Sequence, residues 1–446
     1  MNEEHFFALA KAAAEGRVAF DPCFANDAGA ETRFEFSSAR PPTEPHEKSA
    51  SSTTVAFGKI VAAATNRELG RVVLKIWLTA PGRPPCGETK GTAYEAEVYR
   101  YLTQRIVLPM LAPNFVPAIA YGVCNRRAVE AAAPTLRSPL EKLALILSKH
   151  CDSRSDPNNY SMLHVLVTQS ACDAYACITL AKFTRLPAAP LNQYECMAIL
   201  FMLAYALHVL WESAHAQHND LHTGNVILRD IDTKRPVRVY AVGPDLDRDV
   251  YLFTSTPLLR EPVIYDWDRA YVDAAQANVG LAKDDPRRFR GAARNESLDE
   301  LEYCRSFGQC NRPNERFDLY TLLCNTMKGA TGLKAVQTLA PTLVQSIADA
   351  EKARGNRGHS CLAYDVHAKR SRDLPPSRFP TPGQFLASPA FDAFRASTAA
   401  ARGELYARTI RDKLHACGAT VFFASIRGDV PPKLAIAEYI FKLFKH

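Results

Sequence analysis

The segment His218-Asn219-Asp220-Leu221-His222-Thr223-Gly224-Asn225 places a carboxylate and, five residues later, an amide oxygen on one short loop. A second acidic pair, Asp266 and Asp268, follows the apolar run Val263-Ile264-Tyr265. Asn225, Asp266 and Asp268 offer hard oxygen ligands, a set that suits Mg²⁺ held together with substrate phosphates. Asp220 is then left to accept a proton. Lys75 supplies the opposite charge from within an apolar run, Val72-Val73-Leu74-Lys75-Ile76-Trp77-Leu78. Lysine is almost never fully buried unless paired, so an ammonium there points to a bound phosphate and a carboxylate partner. Glu95 and Glu97, two residues apart on one predicted helix, are the rival partners.

These residues need elements to hold them. Val55, Phe57, Ile60 and Val61 around Gly58, and the run 71–78, read as neighbouring strands. A Pro/Gly-rich turn at 81–87 leads into a helix over Thr92 to Ile106. The runs Leu143–Leu147 and Leu163–Val167 read as further strands, with 125–160 otherwise polar and loop-like. Ala198, Leu200, Phe201, Leu203, Ala204, Leu207 and Leu210 fit a helix buried on most faces, directly before the 218–225 loop. Strand-like runs return at 226–228, 237–241, 250–253 and 263–265, and helical patterns at 3–14, 318–328, 335–350, 391–401 and 405–417. A β-rich front third followed by a helix-rich remainder predicts an α+β fold in two parts.

On these residues the chain resembles the protein-kinase-like superfamily. HNDLHTGN is similar to its catalytic loop H-x-D-L-x-x-x-N, and Tyr265-Asp266-Trp267-Asp268 to the magnesium-binding D-F-G element in its D-x-D form. Val72-Val73-Leu74-Lys75 resembles the V-A-I-K strand, Tyr94–Tyr99 the following helix with Glu95 in the ion-pair position, and Arg316–Tyr320 a later helix whose Asp318 braces the catalytic loop. The match covers roughly 50–330. Within the superfamily, kinases of large DNA viruses and haspin-type atypical kinases are most similar. The resemblance implies a bilobal fold: an extension over 1–48, a small β-rich lobe over 49–168, a larger helical lobe over 169–395 and a helical tail over 396–446. It implies ATP and Mg²⁺ as cofactors and a protein serine or threonine as acceptor. Lys75 and Glu95 would handle the phosphates, and Asp220 the acceptor hydroxyl. Asn225, Asp266 and Asp268 would hold metal. Gly58, Ile60, Gln169 and Ala171 would line the nucleotide, the last two from the hinge that follows the strand 163–167.

The chain departs from the pattern in several places. Of the glycine-rich loop only Gly58 remains, with Thr53 and Val55 at the earlier glycine positions. Asn219 replaces the Arg that reads an activation-loop phosphate, His222 replaces a common Lys, and no A-P-E motif occurs near 305–315. The strands 237–241 and 250–253 would fill a long gap between Asp220 and Asp266 as a hairpin. D-L-H-x-G-N also resembles aminoglycoside and choline kinases, so a small-molecule acceptor stays open, as does a nucleotide-binding scaffold without turnover.

Composition sets the outer bounds. The 446 residues are 47% hydrophobic and 23% charged, an ordinary globular balance that excludes collagen-like and low-complexity readings. A net charge of +7 hints at an anionic ligand without arguing for nucleic acid. No run reaches ~18 uninterrupted apolar residues; the stretch Cys196–Trp211 reads as a core helix. The acidic start Met1–His5 lacks a signal-peptide pattern. The 12 cysteines show no CxxC spacing, so free thiols and an intracellular setting are expected, the host cytoplasm or a virus particle if the origin is viral. His218 reads as a packed loop histidine, and His222 as either a phosphate contact or a hydrogen-bonded loop residue. The cluster Arg287, Arg288, Arg290 and Arg294 reads as a solvated segment. Oligomeric state is not legible.

Overall fold

The computed structural model describes residues 3–16, 21–24, 32–36, 53–81, 92–151, 156–172, 177–184, 193–230, 237–242, 249–254, 260–268, 270–272, 315–327, 380–395 and 419–424. The basic cluster 287–294 and the expected helices at 335–350 and 405–417 lie outside these residues.

The described chain mixes α and β. Its largest sheet has five strands, all antiparallel, in the order β1 (Thr32–Phe36), β2 (Thr53–Ala62), β3 (Glu68–Thr79), β5 (Met162–Gln169), β4 (Ala118–Asn125). Side chains alternate between its faces. Leu74, Ile76 and Leu78 of β3 join Ile60, Val72, Leu163, Val165 and Val167 in one apolar cluster. That cluster is closed by Leu9 of helix α1 (Glu3–Ala14), Val129 of α3 (Arg126–Ala132) and the buried stripe of α4 (Arg137–Cys151). Lys75 and Trp77 point to the other face, where Trp77 and Leu166 meet helix α2 (Thr92–Leu102).

The second cluster is built on α6 (Gln193–Ala214). The 20 residues Glu195–Ala214 are long and apolar enough to cross a membrane, yet 72% of their most apolar window is buried inside the fold. They act here as a core helix. Beside α6, β8 (Val226–Asp230) pairs with β6 (Cys177–Thr179) and β11 (Arg260–Ile264). Strands β9 (Val237–Val242) and β10 (Asp249–Thr254) form the expected hairpin pair between Asp220 and Asp266. The short helix α5 (Leu180–Phe183), the pair β7 (Ala216–Gln217) and β12 (Tyr271–Val272), α7 (Phe317–Met327) and α8 (Pro382–Leu386) complete the described elements before the C-terminal segment. Residues 114–116 join the two portions: Ile264 N–H donates to Asn114 O (2.7 Å), and Val116 N–H to Ile264 O (3.3 Å).

Four expectations are corrected. Leu143–Leu147 is helical, part of α4: Leu140, Leu143, Ala144 and Leu147 are buried while Leu145 and Ile146 are exposed. That is the i, i+3, i+4, i+7 stripe of a helix, which a short apolar run does not distinguish from a strand. The 125–160 stretch is accordingly helical over much of its length. The expected N-terminal extension contributes β1, which pairs with β2 over five residues. The expected helical tail contributes a strand, β13 (Ala419–Ala424), parallel to β9. Finally, among the described cysteines free thiols are not the rule. Cys23 is bonded to Cys124 across 101 residues, and Cys172 to Cys177 across five, with Cα–Cα separations of 5.3 and 5.7 Å. Tertiary folding brings the first pair together, so no local spacing announces it.

Candidate active site

Strand β3, helix α2 and the loop after β11 converge on one ammonium. Lys75 Nζ lies 2.8 Å from Glu95 Oε1 and 2.7 Å from Asp266 Oδ1, partners 20 and 191 residues away. Glu95 is almost fully buried, while Lys75 and Asp266 keep about a quarter of their side-chain surface. Burial opposes the Lys75 charge, but the carboxylates of Asp266, Glu95 and Asp268 outweigh it and hold the ammonium well above its usual range. Asp268 is therefore close enough for its charge to be felt at Lys75. Glu97 lies elsewhere on α2, beside Tyr121, whose phenol is pushed up to about 12 by burial first and by the Glu97 charge second.

The second half of the site is a pair of loops tied by backbone contacts. Strand pairing sets Ile264 opposite Val226. The next residues outward, Tyr265 and Asn225, continue that contact: Tyr265 N–H donates to Asn225 O at 3.2 Å. Tyr265 Oη donates to Gly224 O (2.7 Å). Asn225 Nδ2 donates to Asp220 O (3.0 Å), which leaves the Asn225 amide oxygen as its atom for a cation. Asp220 N–H donates to His218 Nδ1 (3.3 Å), so His218 carries its proton on Nε2 and gives it to Tyr265 O (2.9 Å). The ring of His218 packs 4.5 Å from that of Trp267, itself fully buried. His218 is thus a brace.

The 218–220 turn is held from outside by α7. Asp318 accepts the N–H groups of His218 (2.6 Å) and Asn219 (2.9 Å) through its two oxygens. Burial pushes this carboxyl up, against His218 and the two N–H donors. Asn219 has φ +66°, a left-handed conformation that asparagine tolerates better than most residues. His222 is a loop residue of the same kind: its Nδ1 accepts Gly224 N–H at 2.9 Å and caps the turn Thr223–Asn225. A Cβ on Gly224 would come within 2.8 Å of that nitrogen, so the turn requires glycine.

The residues expected around a nucleotide fare differently. Gly58 lies within β2 opposite Val72, on the face turned away from Lys75. A Cβ there would overlap the Phe34 ring and come within 2.7 Å of Glu35 O. Gly58 is needed for the close approach of β1, not for a phosphate. Ile60 is fully buried in the same far-side cluster. Both corrections have one cause: side chains alternate along a strand, so Gly58 and Ile60 sit on the face opposite Lys75. On the Lys75 face, β2 instead presents Val55, directly opposite Lys75, with Phe57 and Lys59 following at two-residue steps. Gln169 pairs with Val72, its side chain is fully buried, and its N–H donates to Pro117 O (3.0 Å). Ala171 is buried and packs with the α6-side cluster.

The donor set fits a hard divalent cation: two carboxylates and an amide oxygen from adjoining loops, with no soft ligand among them. Residues that sequence reading did not single out also matter here. Tyr99, one helical turn after Glu95, accepts the Asp266 N–H with its phenol oxygen at 2.9 Å. The i, i+4 spacing on α2 puts the two on one face and was the available signal.

Neither the family models nor the curated proteins give a match. Among solved structures the chain is similar to WaaP in complex with acyl carrier protein, at 12% identity and a TM-score of 0.28. The alignment covers 67% of this chain and 80% of that one. An overlap that loose carries no weight for the chemistry of this chain.

Proposed function

We propose that this chain is an ATP- and Mg²⁺-dependent phosphotransferase of the protein-kinase-like kind, its two portions serving as the two lobes. The observation that supports this most is the Lys75 junction, in which an ammonium from the sheet meets Glu95 of α2 and Asp266 of the loop after β11. Lys75, kept charged by these carboxylates, would grip the nucleotide phosphates. Asn225 and Asp266, with Asp268 alongside, would hold Mg²⁺, which neutralises charge on the transferring group.

Asp220 orients the acceptor hydroxyl and takes its proton. The acceptor oxygen forms a bond to the γ-phosphorus, and the bond to the bridging oxygen breaks to release ADP. The enzyme forms no covalent intermediate, so positioning and electrostatics supply the rate. The resemblance in 218–225 and 265–268 makes a protein serine or threonine the first choice of acceptor.

The test is transfer from labelled ATP by the purified chain to a panel of protein, peptide and small-molecule hydroxyls. Asp220→Asn should cost on the order of 10²-fold or more in turnover while ATP binding persists. A wild-type rate in Asp220→Asn or in Lys75→Met would overturn the scheme. Transfer to small molecules alone would move the chain to the alternative class of acceptor, and Mg-ATP stabilisation without transfer would make it a binding scaffold.

A further inference from the structure

Asp266 has φ +70°, in the left-handed region that costs a non-glycine residue about 1 kcal/mol or more and persists only where neighbours over-determine it. Those neighbours are identifiable. Tyr265 is tied to Asn225 and Gly224 on one side, and Trp267 is fully buried against His218 and Phe115 on the other. Between them, the N–H of Asp266 itself is held from α2 by the Tyr99 phenol.

Helix α2 therefore grips the site twice from one face: Glu95 fixes Lys75, and Tyr99 fixes the backbone of the carboxylate that Lys75 meets. A third contact, Tyr94 Oη to Ala270 O (2.7 Å), holds the same segment four residues further on.

We infer that Tyr99 is a positioning residue: by accepting the Asp266 N–H it holds the Asp266 carboxylate at Lys75, in the orientation needed for a divalent cation. The cation half of this inference rests on the phosphotransferase reading; the backbone half does not. Without the phenol oxygen the Asp266 N–H loses its partner in a part-buried setting. The residue relaxes out of the left-handed region, and its carboxylate swings off Lys75.

Tyr99→Phe and Tyr94→Phe form a matched pair on the full chain, each deleting one phenol oxygen that bonds the 266–270 backbone. In wild type the Asp266 amide should exchange slowly with solvent. In Tyr99→Phe, exchange in 265–268 should rise, and the Mg²⁺ concentration for half-maximal turnover should rise roughly tenfold. Nucleotide affinity without a divalent cation should stay within about twofold. Tyr94→Phe should lower melting temperature while leaving both the Asp266 amide and the Mg²⁺ dependence unchanged. A fast-exchanging Asp266 amide in wild type would overturn the inference, as would equal shifts in both variants. A wild-type chain inert to Mg-ATP would instead end the phosphotransferase reading, and the exchange comparison would still judge the Tyr99 lock.

Discussion

Loop 218–225 with its neighbour 265–268, and strand β2 on the other side of Lys75, are both read as parts of one nucleotide site, yet different forces fix them. In the loops nearly every position is set by a polar contact. Asp318 takes two backbone N–H groups, His218 bridges Asp220 to Tyr265, and Tyr99 holds Asp266. In β2 the positions are set by packing. Gly58 exists to admit Phe34, and Ile60 fills the far-side core. Directional contacts demand particular side chains at particular spacings, whereas packing accepts any residue of suitable size and parity. Chemistry is therefore written plainly in the loops and hardly at all in the strand.

This contrast can be broken by experiment. The largest effect is expected at the loops: Asp318→Ala leaves two buried N–H groups without their acceptor, each worth about 1–3 kcal/mol. Denaturant unfolding should show that loss, with turnover falling alongside. A variant as stable as wild type would mean that α7 does not brace the loop.

At β2 the expected effect is smaller and purely one of packing. Gly58→Val should destabilise by about 1–3 kcal/mol through overpacking against Phe34, with ATP affinity unaltered in the folded fraction. Gly58→Ala combined with Phe34→Leu should lose less than the sum of the single variants. If Gly58→Ala instead weakened ATP binding at unchanged stability, the phosphate-loop reading of Gly58 would return.

The smallest effect belongs to neither region and calibrates both. His164 in β5 sits between Thr79 and Tyr121, and burial lowers its pKa below the usual 6.5. The unfolded chain then takes up the proton first. The contribution of His164 is complete above about pH 6.5 and is lost as pH falls through the lowered folded value. Melting temperature in a pH series should decline more steeply below pH 6.5 for wild type than for His164→Gln, and equal slopes would remove the contribution.

Much of the site was legible because its signals are local. Asp220 and Asn225 share one loop, Asp266 follows an apolar run, and Lys75 is conspicuous in an apolar strand. Glu95 over Glu97 followed from the resemblance of Tyr94–Tyr99 to a family helix. Gly58 and Ile60 were misjudged because a motif gives order along the chain but not which face of a sheet a residue serves. Leu143–Leu147 was misjudged because five apolar residues contain too little of either period.

The amino-acid sequence by itself determined the charged and amide groups, the loops that carry them, the buried character of α6 and the hairpin between Asp220 and Asp266, since these depend on residue type and short-range pattern. Tertiary structure alone decided that β1 would join the edge of β2 and β13 would lie beside the distant β9, that Cys23 would meet Cys124, and that the Tyr99 oxygen would meet the Asp266 N–H. Each of these joins groups separated by tens to hundreds of residues. Such contacts arise only when the chain buries its apolar surface, and no local spacing records where the ends will meet.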